Sequence, residues 1–205
     1  MKPVSDFDRV VSDLAIWHGY DPAVKAELYS TCLITAAGTY FIDPIPLESD
    51  ALYELIGSNS VAGIIVTNCN HHRASAKFAA AFSVPLFSHS DALLDQPARE
   101  FKRVADGDEI CEGLRGIAIE GAGEGEIALH YAPDGGTFII GDALINFEPY
   151  GFTFLPEKYC ANPKEMRRSL RKLLNYKAER MLFAHGLPIL SAASERLRGL
   201  LESDL

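Results

Sequence analysis

Four short apolar runs in this chain each stop at a polar group able to bind something, and that pattern restricts the fold more than any other feature. Tyr40-Phe-Ile42 ends at Asp43, and Gly63-Ile-Ile-Val66 runs into Thr67, Asn68 and Asn70. Phe138-Ile-Ile140 ends at Gly141-Asp142, and Met181-Leu-Phe-Ala184 at His185-Gly186. Runs this brief, rich in β-branched and aromatic residues, suit buried strands better than helices. Sites on layered α/β folds are assembled at strand ends, where loops converge on rigid supports. Asp and Asn also favour turns and caps on their own account. Each position taken singly therefore reads as a turn residue, and only the order and spacing of the four together point to a site.

The rest of the chain fills in around those runs. Residues 4–43 read as largely extended, with Leu28–Thr35 and Thr39–Ile42 rich in β-formers. Residues 47–57 have helical spacing, and Ala74, Phe78 and Phe82 mark a second helix by recurring every four residues. Val84–Phe87 reads as a strand, and the stretch 99–131 alternates polar turns with β-like runs. Pro133-Asp-Gly-Gly136 lies between Ile127–Tyr131 and Thr137–Ile140 as a hairpin signal. The clearest helix is 163–175, with Met166, Leu170, Leu173 and Leu174 buried and its Arg and Lys residues forming a solvated face. Ser191 is placed to cap a last helix through Leu201. Helices and strands alternate in the middle while hairpins flank them, so sheets covered by helices are expected, in one domain over 1–205.

Composition excludes whole classes of function. A net charge of −9 argues against nucleic acid, whose phosphates demand clustered Lys and Arg, and against an anionic membrane surface. No apolar run reaches the roughly 18 residues that span a bilayer. Met1–Val11 carries Lys2, Asp6, Asp8 and Arg9 in place of a signal peptide's apolar stretch. Cys32, Cys69, Cys111 and Cys160 are scattered without a C-x-x-C pair, so reduced thiols and a cytoplasmic location are expected.

With those residues in view, the chain resembles the metallo-β-lactamase superfamily over nearly its whole length. Phe41-Ile-Asp43-Pro matches the family's Asp-terminated strand. Thr67-Asn-Cys-Asn-His-His-Arg73 stands where the family has T-H-x-H-x-D-H. Gly121-Ala-Gly-Glu-Gly-Glu126 stands at its glycine-rich turn, Gly141-Asp142 at its Gly-Asp, and His185-Gly186 at its late His-Gly. The resemblance implies a mixed α+β fold, a four-layer αββα sandwich with the site along one edge. It also implies that the two first-site histidines are replaced by Asn68 and Asn70, and that the third aligns with Ala122. His72 and Arg73 fall where second-site ligands stand, while Asp142 and His185 are retained.

Chemistry decides what such replacements mean. A catalytic zinc ion usually has about three protein ligands of imidazole, thiolate or carboxylate type, and Asn is a poor substitute. A fixed cation at Arg73 opposes metal binding further. A dinuclear hydrolase is therefore not expected. The set His72, Asp142 and His185 can hold one zinc, iron or manganese ion, which activates water as a Lewis acid. Its metal-free alternative has Arg73 paired with Asp142 and the histidines only hydrogen-bonded. On either reading Asp43, His72, Asp142 and His185 are the candidate catalytic residues, and Asn68, Asn70 and Arg73 the candidate substrate contacts. His71 is expected to be exposed at a helix start, Cys69 to be a small buried thiol, and the glycine-rich turn to be structural. Two classes of function remain: a hydrolase-like enzyme acting on a small molecule, and a non-catalytic relative that binds a small molecule or a partner protein.

Overall fold

The computed structural model describes residues 1–92 and 100–203, so position 99 at the head of the alternating stretch lies outside the described residues. Seven strands form the first sheet in sequence order: β1 (Asp8–Val11), β2 (Leu14–Asp21), β3 (Ala26–Thr35), β4 (Gly38–Ile42), β5 (Val61–Ile65), β6 (Leu86–Ser88) and β7 (Phe101–Arg103). The second sheet is built from β8 (Glu109–Cys111), β9 (Leu114–Ala118), β10 (Ile127–Tyr131) and β11 (Thr137–Ile140). A small hairpin of β12 (Leu144–Phe147) and β13 (Gly151–Phe154) follows, and β14 (Arg180–Phe183) then returns to pair with β11.

Side-chain alternation along the strands divides the interior into three apolar layers. Successive residues of a strand face opposite sides, and here both sides are covered. Leu14, Ile16, Tyr40, Ile42 and Ile65 meet Leu114, Ile127, Leu129, Ile139 and Leu182 between the sheets. The intervening Ala15, Trp17, Phe41 and Ile64 face outward onto α1 (Ser49–Ile56) and α2 (Ser75–Phe82) through Leu55 and Phe78. On the far side Ala128, Phe138, Ile140, Met181 and Phe183 pack against α3 (Pro163–Leu170) and α4 (Ala193–Glu202) through Met166, Leu170, Leu197 and Leu201. This is the four-layer αββα arrangement, and it explains why the central runs are apolar without a break.

Local departures have local causes. The 163–175 helix tightens after Leu170 into a 3-10 stretch, Arg171–Asn175. Ser191 does not cap α4; Ala192, in the left-handed region, takes the N-cap position without a side-chain bond. Ser194 instead uses its hydroxyl to accept from the Ala178 amide at 2.8 Å. The Pro133–Gly136 turn forms as expected, with Asp134, Gly135 and Gly136 all at positive φ and Tyr131 opposite Thr137. Among the described residues no helix is long and apolar enough to cross a membrane.

Two parallel pairs place the site. β4 runs parallel to β5 with Ile42 opposite Ile65, and β11 runs parallel to β14 with Ile140 opposite Phe183. Parallel neighbours end on the same side, so each sheet delivers two strand ends to one edge of the sandwich. The edges are tied across by the Tyr29 amide donating to Ala184 O at 3.0 Å and the Ile127 amide donating to Thr67 O at 2.8 Å.

Candidate functional site

At that edge Asp43 closes β4 as a buried carboxylate with φ 48°, a left-handed conformation that costs a non-glycine residue energy. Its surroundings hold it there. Oδ1 accepts from the Thr67 amide at 2.8 Å, and Oδ2 accepts from the Thr67 hydroxyl at 2.5 Å. Oδ2 also lies 2.9 Å from His71 Nδ1. Because the hydroxyl proton goes to the carboxylate, Nδ1 is left as the donor in the histidine contact.

The chain between Thr67 and Arg73 explains which histidine points inward. Asn68 ends the extended segment, and its Oδ1 accepts from the Asn70 amide at 2.8 Å, starting a 3-10 turn over Cys69–His71. With three residues per turn, side chains at i and i+3 eclipse, so His71 shares the face of Asn68. His71 is only 2% exposed. Its Nε2 and that of His185 each approach Asp142 Oδ1 to 3.2 Å. One donor atom from each of His71, Asp142 and His185 lies within 4.8 Å of the others.

The structure thus corrects three expectations. His71 is the buried member of the cluster and not an exposed helix-start residue. His72, the next residue, turns away and its Nε2 meets Ala92 O at 2.7 Å, so it does not join Asp142 and His185. The expected Arg73–Asp142 pair is replaced too. Arg73, at φ 40°, donates from Nη1 to Tyr29 O at 2.6 Å and Asp43 O at 3.0 Å, and from Nη2 to Ala184 O at 3.5 Å. Its guanidinium therefore bridges backbone from both sheets directly behind Asp43.

The other expected residues fall at the cluster. Asn68 is fully buried, and its Nδ2 donates to Asp142 Oδ2 at 3.1 Å and to Glu126 Oε2 at 2.5 Å. Asn70 is exposed, with Nδ2 3.4 Å from Asp142 Oδ2. Ala122 is buried in the outer apolar layer beside α3. Cys69 is only half-buried. Glu126 is the residue that sequence reasoning missed. It is a buried carboxylate at the end of the glycine-rich turn, and its position immediately before the wholly buried β10 was the available signal. Gly141 is required beside it, since a Cβ there would lie 2.6 Å from Thr67 Oγ1 and 2.8 Å from Glu126 Oε1.

The electrostatics follow from this packing. Burial and the Arg73 charge oppose protonation of His71, but Asp142 and Asp43 on either side overcome them and raise its pKa to about 9. Burial works against the Asp142 charge as well, yet His71 and His185 hold that carboxyl well below the usual range. Asp43 is likewise lowered against its own burial by His71, Arg73 and Thr67. Burial, reinforced by Asp142, pushes Glu126 up to about 8.

The fit of a metal ion can be judged from one atom. His71 Nε2 is buried and meets Asp142 Oδ1 at 3.2 Å without hydrogen-bond geometry, while its Nδ1 is committed to Asp43. A carboxylate behind an imidazole, with the far nitrogen aimed at a second carboxylate and a second imidazole, is the usual support of a ligating histidine. The donor set of two imidazoles and a carboxylate suits zinc, iron or manganese.

Comparison with known proteins agrees with the architecture. The profile of a family described as the metallo-β-lactamase superfamily matches residues 7–204. The solved DIM-1 metallo-β-lactamase superposes with a TM-score of 0.76 at 14% identity, covering 99% of each chain. A metallo-β-lactamase from Erythrobacter litoralis gives 0.73 at 14% identity over 96% of each chain. A metallo-β-lactamase family protein from Thermus thermophilus gives 0.68 at 18% identity, covering 95% of this chain and 79% of that one. No curated protein matches the chain in sequence. At such identities the solved structures establish the fold alone, whereas the family profile spans nearly every residue, and the chain belongs to the metallo-β-lactamase superfamily.

Proposed function

We propose that the protein is a hydrolase-like member of its superfamily with a reduced site, holding at most one divalent ion on His71, Asp142 and His185, and that it is not a dinuclear zinc hydrolase. The observation that carries this reading is the division of labour at Asp142. Oδ1 faces the two histidine nitrogens, while Oδ2 is taken up by side-chain N–H groups of Asn68 and Asn70. A second ion on that side would need ligand atoms from positions 68 and 70, and there Asn68 and Asn70 turn N–H groups toward the carboxylate.

An ion at this position would supply Lewis acidity toward a carbonyl or phosphoryl oxygen. The chain's own residues do the rest. Asp43 and Thr67 fix the His71 tautomer and ring, and Arg73 balances the Asp43 charge from behind. The net charge of −9 and the four free cysteines support a small-molecule substrate in the cytoplasm. A second reading, a metal-free binding module, is favoured by His71 lying between two carboxylates, because a proton on that imidazole balances the cluster without an ion.

Metal analysis and zinc titration separate the two. Protein purified without chelators should carry close to one equivalent at most, and zinc should titrate to one site. His71→Ala should abolish that site and His72→Ala should leave it intact. No zinc uptake by the wild type would favour the metal-free module, and two tightly held equivalents would overturn the proposal outright. Turnover offers an independent check. Zinc-supplemented protein should show no appreciable hydrolysis of standard lactam, lactone or thioester substrates by a two-ion route. Robust, chelator-sensitive turnover accompanied by a second bound equivalent would contradict this.

A further inference from the structure

We infer that Glu126 is the positioning residue for Asp142, setting through Asn68 and the backbone which carboxylate oxygen of Asp142 faces the histidines. Glu126 is 3% exposed, and a polar group in such a place is costly unless its oxygens are hydrogen-bonded. Among the described residues its hydrogen-bond partners are all N–H donors. Oε1 accepts from the amides of Asp142 at 2.8 Å and Ala143 at 3.0 Å, pinning the turn between β11 and β12. Oε2 accepts from Asn68 Nδ2, which also reaches Asp142 Oδ2.

One carboxylate thus grips Asp142 twice, at its backbone and, through an amide, at the outer oxygen of its side chain. The amide lies between two carboxylate oxygens, 2.5 Å from Glu126 and 3.1 Å from Asp142. It can serve both only if Asn68 keeps its present flip. That flip is fixed in turn, because Asn68 Oδ1 accepts from the Asn70 amide. With Oδ2 held outward, Oδ1 has one orientation left, toward His71 and His185. Glu126 is not among the clustered donor atoms of His71, Asp142 and His185, so it acts through its neighbours.

The substitution Glu126→Gln keeps the shape and lets one oxygen still accept both backbone amides. Its new NH2 faces the Asn68 NH2, so Asn68 must turn over or withdraw, and Asp142 Oδ2 loses its donor. Asn68→Ala removes the same link from the other end and serves if Glu126→Gln does not fold. The reporter is the His185 imidazole, which stands on the opposite sheet from Asn68 and meets Asp142 Oδ1 at 3.2 Å. His130, bonded to Lys177 O at 2.8 Å, is the internal control.

Imidazole nitrogen resonances of the metal-free protein should move at His185 and stay fixed at His130 in both variants. The zinc dissociation constant should weaken by roughly 10–100-fold, the usual effect of losing an outer partner of a ligand. The zinc readout rests on the single-ion reading, and the resonance readout does not. If wild type takes up no zinc while His185 still moves, the single-ion reading fails and the role of Glu126 stands. An unmoved His185 resonance with unchanged zinc affinity would overturn the inference, even if the variants melt lower, because Glu126 would then only stabilise the turn.

Discussion

Arg73→Ala should lower stability by on the order of 3–5 kcal/mol, the range seen when a buried charge loses its partner. The substitution strands the Tyr29 carbonyl, takes one of two donors from Asp43 O and Ala184 O, which keep the Ser30 hydroxyl and the Tyr29 amide, and removes a cation that lowers the Asp43 carboxyl. At this chain length each kcal/mol shifts the midpoint by roughly 2–4 °C, so a fall of about 10 °C is expected. Arg73→Lys should recover only part of it, since one ammonium lacks the planar fork that reaches several acceptors. Urea and thermal melts of both variants measure this. An Arg73→Ala protein within about 1 kcal/mol of wild type would mean that water satisfies those carbonyls and that Asp43 needs no counter-charge.

The second large effect is in pH. His71 is raised above its ordinary value, so its contribution is fully present below about 6.5 and is lost as pH rises through about 9. The shift corresponds to on the order of 3 kcal/mol. Glu126, raised from 4.5 to about 8, acts in the same direction, whereas the lowered carboxyls of Asp43 and Asp142 matter only on the acid side. Metal-free protein should therefore melt progressively lower between pH 6.5 and 9.5. A zinc ion needs the Nε2 position that the proton holds, so stabilisation by buffered zinc should grow over the same interval. Melts at three pH values, with and without zinc, test both halves. A flat metal-free profile would show that His71 carries no proton between its two carboxylates.

These two residues also show what is readable from the sequence and what is not. The strand ends at Asp43, Asp142 and His185 are legible because a strand buried on both faces is an unbroken apolar run that stops abruptly, and that signal is local. His71 looks exposed in sequence because a pattern match counts positions and does not wind them. The 3-10 turn started by Asn68 rotates 71 inward and 72 outward, and the cap that causes it is a single side-chain contact. Arg73 finds a different partner from the expected one for another reason. Its acceptors are backbone atoms at residues 29, 43 and 184, which meet only once the two sheets have docked. Glu126 is hidden within its glycine-rich turn, since nothing in that turn reveals that the Asp142 amide will fold against it.

The amide of Asn68, lying between two acidic groups, also bears on how far this site can be redesigned. Histidines placed at 68 and 70 would not by themselves make a second metal position here. A neutral imidazole at 68 offers one N–H where the amide serves two acceptors, so Glu126 or Asp142 would be left without its donor. Ala122, packed beneath α3, would also have to give way. Positions 68, 122, 126 and 142 are therefore coupled, and a change at one of them is felt by the others.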